Sequence, residues 1–200
     1  MELPIEKLAK REFTFLLKQK QRLYKDWKNS GIIADDSLLK AFLEVLRELF
    51  VEPCYRDQSY ADHPLPIGSG QTISQPTTVI MMLQLLAVIP GQRVLEIGSG
   101  SGYNAALLAK LVMPTGMIIT LKRHKELVEL AQKNLRSVDL EEVVVIEGDG
   151  KQGHEKLANF DRIIVTAATD QVPHNLKDQL AIGGSIVVPI GPITVVKCLN

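Results

Sequence analysis

Cysteine is scarce in this chain. Its 200 residues hold only Cys54 and Cys198, far apart and in no metal-ligand spacing, so the sequence writes in neither a disulfide framework nor a zinc site. Net charge is absent as well: 23 basic and 23 acidic residues cancel, which leaves no global field to draw nucleic acid or an anionic membrane. The opening Met1-Glu2-Leu3-Pro4 lacks the apolar core of a signal peptide. The longest stretch without charge, Ala61 to Gln92 apart from Asp62, is broken by Pro64, Pro66, Gly68, Gly70, Pro76 and Pro90, so it is excluded as a spanning helix. These absences point to a reduced, cytoplasmic protein with no membrane segment. Aromatic residues are few at 5%, but 46% apolar and 23% charged content excludes a disordered or fibrous chain and fits one compact domain, with or without a small helical extension.

The front of the chain is locally basic, with eight Lys/Arg against four Asp/Glu in residues 1–30. There Phe13, Leu16, Leu17, Leu23, Tyr24 and Trp27 recur at helical spacing among Lys18, Lys20, Arg22, Lys25 and Lys28. This predicts an amphipathic helix packed on the domain with a solvated basic face; a nucleic-acid or membrane patch is the alternative. Asp35-Asp36-Ser37 then offers an N-cap to a second helix, whose stripe runs from Leu38 through Phe42 and Val45 to Leu49. Residues 1–60 thus read as a helical extension packed on the core, and 61–200 as the main domain.

From Arg93 onward, short apolar runs alternate with amphipathic stretches. The runs are Val94–Ile97, Met117–Leu121, Val143–Ile146, Ile163–Thr166 and Ser185–Pro189. Helices are expected near Tyr103–Val112, Lys125–Arg136, Gln152–Ala158 and Asn175–Leu180. Such alternation predicts a doubly wound α/β fold on a mostly parallel, Rossmann-like sheet with right-handed crossovers. Val195–Leu199 offers the start of a sixth strand at a shortened C-terminal end.

The first of these strands runs into Glu96-Ile97-Gly98-Ser99-Gly100-Ser101-Gly102, and Tyr103 opens a helix. Glycines let a ligand approach the backbone, and the free N–H groups of the following helix face the loop. The spacing is G-x-G-x-G rather than the dinucleotide G-x-G-x-x-G, and Glu96 stands two positions before the first glycine. A carboxylate there suits a ligand carrying positive charge better than a pyrophosphate. Further on, Gly148-Asp149-Gly150 places an acid between glycines at the end of the third strand, where ligands of open α/β sheets collect. The acid-then-glycine loop resembles the first motif of the class I S-adenosylmethionine-dependent methyltransferases; a nicotinamide dehydrogenase is disfavoured by the spacing.

Ahead of the loop lies Pro66-Ile67-Gly68-Ser69-Gly70-Gln71-Thr72-Ile73-Ser74-Gln75-Pro76. Pro76 fits a first helical turn, so the hydroxyls of Thr72 and Ser74 arrive beside a helix N-terminus, a setting for a carboxylate. Ser74 and Gln75 as plain capping residues are the alternative. The stretch "PIGSGQTISQP" is similar to the one that marks the protein-L-isoaspartate O-methyltransferases. The likeness continues through "VLEIGSGSGY", "EGDG", "FDRIIVTAA" and "LAIGGSIVVPIGP", from about Ile32 to Pro192.

The resemblance implies methyl transfer from S-adenosyl-L-methionine to the free carboxylate of isoaspartyl residues in damaged proteins, a repair step that leaves S-adenosyl-L-homocysteine. It implies Ser74 and Thr72 as the residues gripping substrate. Gln71, Thr72, Ile73 and Ser74 would close over the cofactor. Glu96, Gly98, Ser101 and Gly102 would hold its methionine end, in a loop that also counts Ser99 and Gly100 as contacts. Asp149, flanked by Gly148 and Gly150, would face the adenine. A carboxylate is already ionised at pH 7, so the transfer calls for alignment and water exclusion rather than a general base. His63, His124, His154 and His174 accordingly read as ordinary histidines, and Cys54 as a packing residue. Isoaspartyl proteins and peptides are the expected partners, for a monomer or for a homo-oligomer formed through an open sheet edge.

Two departures stand out. Where these methyltransferases present a ribose-binding acid, the chain has Lys122, which has donors only and brings like charge toward a sulfonium. Glu126 lies one turn beyond as a possible substitute, and Lys122, Arg123 and Lys125 together suit a phosphorylated ligand as a minor alternative. The chain also stops soon after the fifth strand, leaving an edge to be paired or covered by the N-terminal helix. The competing expectation is a non-catalytic relative with a weakened cofactor site.

Overall fold

The structure, a computed structural model, describes residues 10–191 and 194–200. Met1–Pro4 and the Pro192 end of the last motif lie outside the described residues. Helix α1 (Lys10–Ser30) buries Leu16 and Trp27 on one face, and the Trp27 indole N–H donates to Thr77 Oγ1 at 2.8 Å. Lys20, expected on the solvated face, is buried instead: its ammonium donates to the carbonyls of Leu43 (2.8 Å) and Val45 (3.0 Å).

That contact also explains why α2 (Asp36–Glu44) stops short of Leu49. Its start is as expected, with the Asp35 carboxylate accepting from the N–H groups of Ser37 and Leu38. Its end comes where Lys20 takes carbonyls that further helical turns would need. The chain then turns through extended residues Val45 and Leu46 into a short 3-10 turn, Arg47–Leu49. Arg47 N–H donates to the Tyr60 hydroxyl. A second 3-10 turn, Pro53–Gln58, leaves Cys54 exposed, so that cysteine is not a packing residue.

The glycine-rich stretch after it forms a small antiparallel hairpin that the apolar pattern does not announce, β1 (Leu65–Pro66) with β2 (Thr72–Ile73). Helix α3 (Pro76–Leu86) follows with Pro76 in its first turn. Next come β3 (Arg93–Ile97), α4 (Tyr103–Val112), β4 (Met117–Lys122), α5 (Lys125–Arg136), β5 (Val144–Glu147), β6 (Phe160–Val165), α6 (His174–Lys177), β7 (Leu180–Ile190) and β8 (Thr194–Leu199). The helix expected at Gln152–Ala158 is only a 3-10 turn, Glu155–Leu157, preceded by Gly153 at positive φ packed against the Gln179 side chain. The helix expected to reach Leu180 ends at Lys177, because Leu180 already belongs to β7.

The six-stranded sheet runs β5-β4-β3-β6-β7-β8, parallel except for β8, which pairs antiparallel with β7 from Ser185↔Leu199 to Ile190↔Thr194. Alternate residues face opposite ways. Val94, Ile118, Ile164 and Val187 join the core shared with helices α1 to α5, whereas Leu95, Ile119, Ile163, Ile186 and Val188 pack with Leu176 and Leu180 on the other face. Each such aliphatic side chain contributes about 1.5–3 kcal/mol on burial. The chain moves outward from β3 to β4 and β5, then returns to the other side of β3 as β6. A crevice therefore opens beyond the carboxyl ends of β3 and β6, the place where doubly wound sheets bind ligands.

Candidate functional site

A cleft occupies that crevice, enclosing about 660 Å³ of space that includes its open mouth. Its floor is the turn after β3. Gly98 N–H donates to the Leu121 carbonyl at 2.8 Å, and Thr166 Oγ1, just past β6, donates to the Ile97 and Gly98 carbonyls at 3.0 and 2.8 Å. Gly98 has φ +105°, and a Cβ there would run into the Thr166 hydroxyl, so only glycine serves. The hydroxyls of Ser99 and Ser101 are buried in this turn without a hydrogen-bond partner, as is that of Tyr103 at the start of α4. Buried donors left open in a cleft wall are groups awaiting a polar ligand.

One wall is the segment that follows the hairpin tip. Gln71, Thr72, Ile73 and Ser74 all line the cleft, opposite Gly98, Ser99, Gly100 and Ser101. The structure thus brings together two stretches that sequence reasoning singled out separately. Lys122, at the end of β4, joins the same wall and donates to Gln71 Oε1 at 3.1 Å. Burial pulls its pKa down, the charge of Glu96 pulls it up, and Arg123 adds to the lowering.

Other expected contacts lie elsewhere. Glu96 does not line the cleft. It is fully buried beneath it, accepting from Asn104 Nδ2 (2.8 Å) and Thr120 Oγ1 (2.5 Å). Burial pushes its pKa up to about 7, against those two hydrogen bonds and the Lys122 charge, all of which favour the carboxylate. Gly102 caps α4 behind the wall, packed against α5. Gly148, Asp149 and Gly150 sit beside the cleft rather than in its lining: Gly148 N–H donates to the Lys122 carbonyl, Gly150 packs on Ile97, and exposed Asp149 accepts from Lys151 N–H. Glu126 is exposed.

Val79, Met82, Tyr103, Asn104, Ile164, Thr166 and Ala167 also line the cleft and were not singled out from the sequence. Thr166 and Ala167 stand at the end of "FDRIIVTAA", where the strand-end rule would have found them. No group of three His, Cys, Asp or Glu side chains suited to a metal ion comes together among the described residues, and no helix there is long and apolar enough to cross a membrane.

Comparison with known proteins adds a consistent set of likenesses. The protein-L-isoaspartate(D-aspartate) O-methyltransferase family profile matches residues 18–199. A protein-L-isoaspartate O-methyltransferase of Archaeoglobus fulgidus is 44% identical over 176 residues, 88% of this chain and 82% of that one. Its counterpart in Staphylothermus marinus is 46% identical over 188 residues, 91% and 84% of the two chains. Among solved structures, a protein-L-isoaspartate O-methyltransferase superposes with TM-score 0.75 at 32% identity over 86% of this chain, which spans 55% of that longer one. A protein assigned the same activity from Plasmodium falciparum, solved with S-adenosyl-L-homocysteine, gives TM-score 0.76 at 28% identity over 90% and 93% of the two chains. None of these likenesses favours a non-catalytic relative.

Proposed function

The chain belongs to the protein-L-isoaspartate(D-aspartate) O-methyltransferase family, and from that premise we propose how its residues perform the transfer of a methyl group to isoaspartyl carboxylates. The observation that carries the proposal is the convergence of Gln71–Ser74 and Gly98–Ser101 on one cleft. The residues present fit S-adenosyl-L-methionine. The Ser99 and Ser101 hydroxyls are open, buried donors, and the glycine turn gives backbone access. When bound, this cofactor supplies a methyl group activated on a sulfonium.

Gly98, Ser99, Gly100 and Ser101 form the cradle, with Gly102 holding the turn against α5. Glu96 acts from below by fixing Asn104, a cleft residue, through its hydrogen bond. Lys122 and Gln71 form a polar latch at the wall that draws the Gln71–Ser74 segment across the cleft. Ile73 is buried and anchors that segment, while Thr72 and Ser74 present hydroxyls to the substrate carboxylate. Gly148, Asp149 and Gly150, which sit beside the cleft, would border the adenine of the bound cofactor. The acceptor carboxylate is ionised at neutral pH, so these side chains orient it and exclude water instead of moving a proton.

We take residues 1–60, of which the structure describes 10–60, as an extension to the 61–200 domain; the observation in support is that Leu16, Trp27, Leu38 and Phe42 of its helices share a core with α3 and α4. We place the protein in the cytoplasm, a compartment that suits its two unpaired cysteines. Its partners are isoaspartyl proteins and peptides rather than nucleic acid or membranes, and it works alone or as a homo-oligomer through the outer edge of β8. Calorimetric titration with S-adenosyl-L-homocysteine, alongside turnover, tests the site. Ser74→Ala is expected to cut turnover at least tenfold while leaving that affinity within about threefold; unchanged turnover would remove Ser74 from the machinery.

A further inference from the structure

Between Ile73, the last residue of β2, and Pro76, the first of α3, Ser74 and Gln75 belong to no ladder or helix. What fixes them is a cation from elsewhere. The Arg47 side chain is fully buried, and its Nη2 donates to the Ser74 carbonyl at 2.7 Å. Its Nε donates to the Ser59 carbonyl at 2.7 Å, and its guanidinium lies 5.0 Å from the ring centroid of Tyr103, a cleft residue. One side chain thus ties the Ser74 segment to the helix that follows the glycine turn.

Two features of Arg47 are unexplained by packing. Its Nη1 is buried with no hydrogen-bond partner, and among the described residues no carboxylate lies within ion-pair distance of it. Of the acids of the same region, Glu48 accepts from the Tyr60 hydroxyl and Asp62 from the Thr77 N–H; the Asp62 charge favours the guanidinium, but from beyond ion-pair distance. Burying a charge without a direct ion pair is costly, and a pairing anion recovers part of that cost. The Ser74–Gln75 peptide is trans, so a carbonyl turned toward Arg47 turns the Gln75 N–H the opposite way. That N–H has no partner among the described residues and stands at the N-terminus of α3.

We propose that Arg47 is a positioning and specificity residue: it sets the Ser74–Gln75 peptide plane and supplies the buried positive potential that selects an ionised carboxylate as methyl acceptor. This rests on the methyltransferase reading of the cleft. The preference for carboxylate over an uncharged isostere is the property a merely structural arginine would not control.

The experiment measures binding of an isoaspartyl peptide, and of the same peptide with that carboxyl as its carboxamide, to protein loaded with S-adenosyl-L-homocysteine. Wild type, Arg47→Met and Arg47→Lys are compared. Arg47→Met is expected to lower the carboxylate-to-carboxamide affinity ratio about tenfold with S-adenosyl-L-homocysteine affinity within about threefold, and Arg47→Lys to restore part of the ratio. Should Arg47→Met not fold, Arg47→Lys alone decides, with a raised KM for the isoaspartyl peptide expected because a single ammonium does not span the Ser59 and Ser74 carbonyls as the guanidinium does. A ratio and KM unchanged in the folded variants, or a parallel loss of S-adenosyl-L-homocysteine affinity, would overturn the role of Arg47. A wild-type protein that neither binds nor methylates the isoaspartyl peptide would overturn the reading of the cleft itself, and the role with it.

Discussion

Reversing the charge of Lys122 probes the electrostatics of the cleft. Its ammonium sits in the wall at 3.1 Å from Gln71 Oε1, half-buried, with fully buried Glu96 as the acid that most supports its charge. S-adenosyl-L-methionine carries one net positive charge, whereas S-adenosyl-L-homocysteine carries none. At an effective dielectric of about 20 and a separation on the order of 10 Å, two unit charges interact by about 1.5 kcal/mol. Exposure of half the side chain to solvent brings this to somewhat under 1 kcal/mol. Lys122→Glu converts that repulsion into a similar attraction, a swing of about 1.5 kcal/mol or roughly tenfold. Any hydrogen bond that the new carboxylate makes to the ribose is common to both ligands, so the ratio of the two dissociation constants isolates the charge. Calorimetric titration of wild type, Lys122→Met and Lys122→Glu is expected to shift that ratio stepwise toward the charged ligand. A ratio unchanged across the three proteins would refute the idea that Lys122 charge is felt in the cleft.

Other outcomes follow from the same geometry. Because burial raises the pKa of Glu96 from 4.5 to about 7, the folded protein binds a proton there that the unfolded chain releases, and stability falls as pH rises between those values. The full effect is on the order of 3 kcal/mol. Thermal unfolding across pH 4.5 to 8 is expected to show that decline in wild type and a flatter profile in Glu96→Gln, and equal slopes would count against a protonated Glu96. Gly98→Ala, at φ +105° and against Thr166, is expected to cost about 1–3 kcal/mol of stability. It should also weaken S-adenosyl-L-homocysteine binding about tenfold, whereas tolerance by both measures would mean the turn has room that its geometry denies. Asp35→Ala removes the α2 cap and is expected to lower stability by about 1 kcal/mol in denaturant unfolding, with cofactor affinity unchanged.

The parallel sheet was legible because its runs, Val94–Ile97 and Ile163–Thr166 among them, are bounded by glycine and amphipathic stretches whose periods differ. The α4 and α5 boundaries matched to the residue for the same reason. Legibility failed where tertiary contacts override local pattern. Nothing local says that Lys20 is buried while its neighbours Lys18 and Arg22 are exposed, nor that it ends α2 by taking the Leu43 and Val45 carbonyls. The Gln152–Ala158 helix failed because Gly153 packs on Gln179, 26 residues away in the chain. In the cleft, the motifs named Gln71–Ser74 and the glycine turn, yet spacing along the chain does not reveal that Glu96 points beneath the floor. Nor does it reveal Arg47, which reaches Ser74 across 27 positions of sequence.

Transfer of labelled methyl from S-adenosyl-L-methionine to a peptide carrying isoaspartate, beside the same peptide carrying normal aspartate, tests the central claim most directly. The geometry of Gln71–Ser74 against Gly98–Ser101 predicts incorporation into the isoaspartyl peptide alone. Incorporation into neither peptide, or equally into both, would contradict it.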